Sequence, residues 1–143
     1  METEISTLNL LSPLYYVPEE KPEPFGCPDG ERLFCFGLNE AQSRSFEPDK
    51  EKLLGSLIFS GRAAGELTID ASETGVKHLE LPRGNYLFIQ KRKILNREEI
   101  SGLAVELQQE GLWQRLIPGD RLYLRYLFED AGWVTQLFRP YKE

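Results

Sequence analysis

The chain has 143 residues, of which 41% are hydrophobic and 28% charged, as expected for one globular domain that buries a core without disulfides or metal. Its net charge of −6, from 17 basic and 23 acidic side chains, argues against general nucleic-acid binding, which depends on Lys and Arg neutralising phosphates. The N-terminal METEIST lacks the basic region of a secretory signal, and no apolar run is long enough to span a bilayer. We therefore expect a single domain over residues 1–143 that is cytoplasmic and does not enter a membrane.

Residues 1–30 are expected to be partly irregular, with one short strand over residues 14–17. The stretch 17–24 holds three prolines and three glutamates, and proline lacks a backbone donor and fixes φ. This composition predicts a Pro/Glu-rich loop. The following ERLFCFGLN, over residues 31–39, predicts a strand with Leu33 and Cys35 on one face and Phe34 and Phe36 on the other. Two apolar faces are typical of a central strand.

The middle of the chain is less regular. Residues 40–50 are polar and contain Pro48, which predicts a loop, whereas residues 51–60 fit either a short helix near Lys52 or a strand ending at Phe59. The glycine-bracketed segment 61–65 predicts a hairpin connection, because it fits no phosphate-binding loop. Residues 66–70 and 76–81 are interpreted as strands separated by a turn over 71–75, and residues 81–85 as a second turn.

An amphipathic helix over residues 97–110 is the clearest single element of the sequence. Asn96 is a favourable N-cap, and Glu99, three residues later, can complete a capping box. Apolar side chains then recur with helical spacing on one stripe. These are Ile100, Leu103, Ala104 and Leu107. Gly111 occupies the place of a left-handed residue that ends a helix.

Three strands flank this helix. YLFIQ over residues 86–90 precedes it, and RLYLRYLF over 121–128 and WVTQLFR over 133–139 follow it as a hairpin with a turn at 129–132. The sequence therefore predicts an α+β fold with a single antiparallel sheet and one dominant amphipathic helix (97–110) packed on one face.

No recognised catalytic or metal-binding motif occurs in the chain. Cys27 and Cys35 lack metal-ligand spacing, and either a disulfide or two reduced thiols would suit them. His78 is the only histidine, and its position within the strand-like VKHLEL favours a solvated or cross-strand-paired histidine over a general base. Phosphate-binding loops and the G-x-S-x-G nucleophile motif are missing. We expect no metal, no cofactor and no enzymatic activity.

The aromatic side chains give the best indication of a binding site. Alternation places Leu87, Ile89, Leu122 and Leu124 under the helix, and leaves a ring-bearing face on the other side of the sheet. Flat rings with a few polar groups are typical of small-molecule pockets. The predicted ligand-binding residues are Tyr86, Phe88, Arg121, Tyr123 and Trp133. The alternative interpretation is a second core layer covered by residues 1–60.

The C-terminal half resembles the GyrI-like, or transcription-activator effector-binding, domain over about residues 76–140. The resemblance lies in a turn, a strand, a capped helix followed by a glycine, and a final hairpin, with the motif Leu81-Pro82-x-Gly84-x-Tyr86 and the pair Tyr123-Leu124. It implies two strand–helix–hairpin repeats related by a pseudo-twofold axis. It also implies a small, often cationic or amphipathic ligand bound between the repeats.

The sequence departs from that family at two places. Residues 1–30 have no room for the strand and helix of a first repeat, and Arg121 stands where many members have a ligand-binding glutamate. Because a guanidinium favours carboxylates and phosphates, an anionic or neutral ligand, or no ligand, is favoured over a cationic one.

The resulting hypothesis is a stand-alone small-molecule (effector) binding domain of the GyrI-like kind. The alternatives are an acidic protein-interaction or inhibitor module using Glu106 and Glu110, and, less favoured, a small hydrolase. A missing first helix would leave part of a sheet face uncovered, so a homodimer is also expected.

Overall fold

The fold was analysed in a computed structural model, which describes residues 5–18, 30–63 and 79–142. The predicted strand over 66–70, the turn over 71–75, most of the Pro/Glu-rich loop, Cys27 and His78 lie outside the described residues.

The described elements are nine strands and two helices. In chain order they are β1 (Ser6–Leu10), β2 (Leu14–Pro18), β3 (Arg32–Leu38), α1 (Lys50–Leu53), β4 (Leu54–Ala63), β5 (Leu79–Leu81), β6 (Gly84–Lys91), α2 (Arg97–Trp113), β7 (Ile117–Pro118), β8 (Arg121–Glu129) and β9 (Gly132–Lys142). The strand order across the sheet is β1-β6-β9-β8-β3-β4-β2-β5, and β7 pairs with β9. Every pairing is antiparallel, and the sheet curls into a half-barrel. The α+β class, the antiparallel sheet and the one main helix are thereby confirmed.

The helix α2 covers one face of this sheet, which we call the helix face. Leu87 and Ile89 from β6 and Leu122 and Leu124 from β8 pack there, as the alternation predicted. The apolar stripe of α2, from Ile100 to Leu107, contacts the same cluster. Burying such side chains contributes roughly 1.5–3 kcal/mol each, so this cluster is a principal source of stability.

The capping box at the start of α2 is confirmed. The Asn96 Oδ1 accepts from the Glu99 backbone N–H at 2.8 Å, and the Glu99 Oε1 accepts from the Asn96 N–H at 3.3 Å. The predicted end of the helix is wrong, because Gly111 is a buried interior residue. The left-handed residue is Arg115, at φ 61°, and the Leu116 N–H donates to the Gly111 carbonyl at 2.9 Å. This is the hydrogen bond that closes a Schellman motif.

Two further predictions are corrected. Residues 6–10 form a strand rather than an irregular segment, with Leu8 and Leu10 packed against the sheet. The strand β4 continues through Gly61 instead of turning there. A Cβ at Gly61 would lie 2.8 Å from the Tyr16 Cβ, so this glycine permits the close approach of β2.

The ambiguous segment 51–60 contains both of the structures considered for it, because α1 ends at Leu53 and β4 begins at Leu54. The central position of β3, between β8 and β4, agrees with its two apolar faces. None of the helices in the described ranges is both long and apolar enough to cross a membrane.

Candidate binding site on the inner face of the sheet

The face of the sheet opposite α2, here called the inner face, carries a second apolar cluster. Its buried members are Tyr16, Leu33, Cys35, Leu81, Tyr86, Tyr123 and Phe138. The rings pack edge to face: the centroids of Tyr86 and Tyr123 lie 6.2 Å apart, and those of Tyr86 and Phe138 lie 5.7 Å apart. The curvature of the half-barrel brings strands β1 to β5 around these rings, so they form a packed layer.

The five predicted ligand-binding residues do not lie together. Tyr86 and Tyr123 are 1% and 4% exposed, and Phe88 is a partly buried neighbour of the same cluster. Arg121 is exposed at one end of β8. Trp133 shares a face with Leu137, which packs on the helix face, and its ring contacts Phe128 at 5.3 Å. The expected shared face is therefore not observed for Trp133.

Arg121, Tyr123 and Cys35 form a small group where β8 passes β3. A hydrogen bond from Arg121 to Tyr123 raises the pKa of the guanidinium, whereas burial raises the pKa of Tyr123. Burial also raises the pKa of the Cys35 thiol to about 11 in spite of the nearby Arg121. Cys35 is a free, buried thiol that stays protonated at neutral pH, which does not suit a nucleophile.

A row of hydrogen-bonded polar side chains crosses the inner face at its other end. We call this the polar row, and it consists of Gln90, Gln136, Arg125, Tyr16 and Glu31. The register of the sheet builds part of it, since Gln90 lies opposite Gln136 on β9, and Gln136 lies opposite Arg125 on β8. Side chains that are directly opposite in an antiparallel sheet are close enough to contact each other.

The guanidinium of Arg125 is the centre of the polar row. Its Nε donates to the Tyr16 hydroxyl at 2.8 Å, one Nη donates to the Gln136 Oε1 at 3.1 Å, and the other donates to the Glu31 Oε2 at 3.1 Å. The Tyr16 hydroxyl donates in turn to the same Glu31 oxygen at 2.6 Å. The Gln136 Nε2 donates to the Gln90 Oε1 at 2.6 Å.

Burial and neighbouring charges act in opposite directions on the pKa of Arg125. Burial alone would lower the pKa of Arg125, but the charges and hydrogen bonds of Tyr16 and Glu31 outweigh it and raise the pKa. Burial raises the pKa of the Tyr16 phenol well above its ordinary value of 10.0. Arg125 therefore remains a cation at neutral pH, and Tyr16 remains a neutral donor.

The polar row keeps hydrogen-bonding capacity for a further molecule. The described residues accept from three of the five N–H donors of the Arg125 guanidinium. The Gln90 Nε2 has no partner among the described residues. The side chains of Arg125 and Glu31 are 18% and 30% exposed, so solvent reaches the ion pair.

Strand alternation puts Gln90 on the face of Tyr86 and Phe88, and Arg125 on the face of Tyr123, but alternation alone does not identify the polar row. Tyr16 and Gln136 reach Arg125 from β2 and β9, and Glu31 reaches it from the residue just before β3. Only the pairing of these strands brings the three side chains to Arg125. The local signal is weak, because Gln136 alternates with Val134 and Phe138 on one face of a strand that also carries the polar Thr135 and Arg139.

Comparisons with known proteins identify no family for this chain. A scan against protein-family models finds no match, and a search of curated proteins finds none either. The strand, helix and hairpin order of β6, α2, β8 and β9 agrees with the predicted order of elements. The resemblance to the GyrI-like domain stays a prediction.

Proposed function

We propose that the protein is a small-molecule-binding domain of the GyrI-like kind, and that its ligand binds at the polar row on the inner face. The observation that supports this best is a partly exposed Arg125–Glu31 pair, joined to two glutamines and a tyrosine beside an aromatic cluster. Ligand pockets combine a few convergent polar groups with apolar and aromatic walls, and the mouth of a curled sheet is a common location for them.

The available groups favour a neutral or anionic ligand. Arg125 and Gln90 offer N–H donors, and the guanidinium geometry matches a carboxylate. The Glu31 carboxylate neutralises part of the positive charge, so a ligand that brings one acceptor group and an aromatic body fits better than a polyanion.

The residues predicted from the sequence have different roles in this proposal. Phe88 lies one inward-facing position from Gln90 on β6 and would contact the body of the ligand, while Tyr86 and Tyr123 support it from the packed layer. Arg121 lies four residues before Arg125 on the same face of β8 and would not contact the ligand.

Nuclear magnetic resonance of the ¹⁵N-labelled protein tests the proposal with benzoate as a probe, and benzylamine as the probe of opposite charge. We expect benzoate to give saturable shifts of the Arg125 Nε–H and the Gln136 side-chain amide, and benzylamine to give none. Arg125→Lys should weaken benzoate binding about tenfold or more, because hydrogen bonds to charged groups contribute roughly 1.5–3 kcal/mol.

Arg121→Lys is the matched control, since it makes the same change on the same face of the same strand. It should leave benzoate binding unchanged. Gln90→Met provides a second variant if Arg125→Lys fails to fold, and we expect it also to weaken binding. The proposal is wrong if benzoate moves no inner-face side-chain signal of the folded protein, or if both lysine variants bind it equally well.

A further inference from the structure

A groove of about 420 Å³ runs beside the C-terminal half of α2, far from the polar row in the fold. It is lined by Ile5, Phe46, Glu106, Gln109, Glu110 and Trp113. Four of these residues have the i, i+3, i+4, i+7 spacing that places side chains on one face of a helix. The groove therefore follows the outer surface of α2, whereas the proposed ligand site lies on the other side of the sheet.

The loop over residues 39–49 forms the opposite wall, and α2 holds it in place. The Gln109 Nε2 donates to the Phe46 carbonyl at 3.0 Å. One residue earlier, the buried Gln108 donates to the carbonyls of Gln42 at 2.8 Å and Ser45 at 2.5 Å. Both walls of the groove are thus fixed relative to each other before any ligand binds, which lowers the entropic cost of binding.

Two aromatic rings of the groove face solvent. Trp113 is 76% exposed and Phe46 is 50% exposed, although both are large apolar side chains. An exposed tryptophan on a helix that otherwise buries its apolar residues has no packing role in the described part of the chain. The π-face of an indole is the aromatic surface that attracts cations most strongly.

Two carboxylates complete the groove. Glu106 and Glu110 lie four residues apart on α2, and none of the ion pairs among the described residues involves either of them. Within the described ranges the Glu110 carboxylate accepts a hydrogen bond from the neutral Gln114 amide, whose Nε2 lies at 2.8 Å. Like charges with this spacing repel each other, and a bound cation would remove the repulsion.

We propose that this groove binds a small organic cation, namely a protonated amine carried on an apolar or aromatic body. The ammonium group would lie between the carboxylates of Glu106 and Glu110, and the body would contact the rings of Trp113 and Phe46. Combined attraction by carboxylates and ring faces is the usual mode of recognition for ammonium ligands. The inference does not depend on the proposed inner-face site, because the two share no residue.

Tryptophan fluorescence tests the proposal with three probes of nearly equal shape: 2-phenylethylammonium, neutral 2-phenylethanol and anionic phenylacetate. Only the ammonium probe should quench the fluorescence in a saturable manner. Trp113→Phe should abolish the change while the signal of Trp133, which is packed on Phe128, persists. Equal responses to the three probes, or a full response in Trp113→Phe, would contradict the assignment.

Variants that replace Glu with Gln show whether binding of the cation depends on the carboxylates of the groove or on the net charge of the protein. Glu106→Gln combined with Glu110→Gln should weaken binding of 2-phenylethylammonium roughly five- to tenfold, as expected when two exposed ion pairs are lost. Glu51→Gln combined with Glu80→Gln removes the same charge from exposed positions outside the groove and should have no effect. If both double variants lose affinity equally, the cation senses only net charge and the proposal is wrong.

A basic protein segment is the competing occupant. A short peptide of alternating lysine and leucine, titrated in the same assay, distinguishes the two. Quenching by the peptide without any response to 2-phenylethylammonium would overturn the small-cation proposal in favour of a protein partner.

Discussion

Two glycines of α2 provide a paired test of how closely the helix packs on the sheet. A Cβ at Gly111 would lie 2.7 Å from the Leu87 Cδ1 and 3.4 Å from the Pro118 Cγ. Leu87 is fully buried, so its methyl group has little space into which it can move. At Gly102, by contrast, the nearest atom would be the Lys50 Cε at 3.6 Å, an ordinary contact with a flexible side chain.

The same substitution should therefore have opposite effects at the two sites. Glycine to alanine in a helix interior gains about 1 kcal/mol from helix propensity, and we expect Gly102→Ala to show this gain. Overpacking a core typically costs about 1–3 kcal/mol, so Gly111→Ala should be less stable than Gly102→Ala by about that amount. The helix-propensity contribution cancels in the comparison, which leaves the contact with Leu87.

Urea unfolding followed by circular dichroism measures both free energies of unfolding. The slopes of the two transitions should be equal, because the substitutions change neither the fold nor the surface exposed on unfolding. Equal stabilisation by both alanines would refute the reasoning, since it would mean that α2 does not approach β6 as closely as the distances indicate.

Three other measurements test separate parts of the structure. Arg139→Met should lower the free energy of unfolding by about 2–4 kcal/mol, because three carbonyl acceptors, two of them in buried hydrogen bonds, lose their donor. The exposed Arg83→Met should change it by less than about 0.5 kcal/mol, and equal losses in the two variants would contradict the prediction. Asn96→Ala should cost about 1 kcal/mol through loss of the helix cap, and a cost near zero would contradict the capping geometry. Burial raises the pKa of Tyr126 above 10.0 and that of Cys35 from 9.0 to about 11, so the stability that these groups contribute at neutral pH should be lost as the pH rises above about 9. Tyr126→Phe should flatten the fall of the unfolding free energy above pH 10. An unchanged slope would contradict the role of the Tyr126 phenol in that fall.

Arg139 is a second kind of buried titratable group. Burial lowers its pKa from 12.5 to about 10, partly offset by Asp120, but the three hydrogen bonds that the guanidinium donates favour its charged form, so Arg139 stays a cation over the pH range of this test. Several buried phenols change in the other direction, and these include Tyr16, Tyr86 and Tyr126. The net prediction remains a loss of stability in alkali.

Local chemistry made much of the C-terminal half predictable. The cap at Asn96, the apolar stripe after it and the alternation in YLFIQ each follow from contacts within a few residues, and all three agree with the structure. The predicted end of α2 is wrong because Gly111 is required by tertiary packing and does not end the helix. The missing side chain leaves room for Leu87, which lies 24 positions earlier in the chain, and no local sequence pattern predicts that contact.

The candidate site was predictable only in part, for the same reason. Alternation on β6 and β8 identified one face of rings and polar groups, but the partners of Arg125 come from β2, the start of β3 and β9. Arg139 shows the limit most clearly. It is a charged residue inside a strand, yet it is 1% exposed and donates to carbonyls of Gly119 and Ser43 that are distant in sequence.

The pairing of the first strand has a consequence for biosynthesis. Asn9 on β1 contacts Asn85 on β6, 76 residues later in the chain, so this edge of the sheet cannot close until β6 has been synthesised. Pairings of such large sequence separation slow folding, because the entropy of loop closure is lost before the contacts form. During synthesis β1 is therefore expected to remain unpaired until β6 is available, and to join the sheet after that strand has formed.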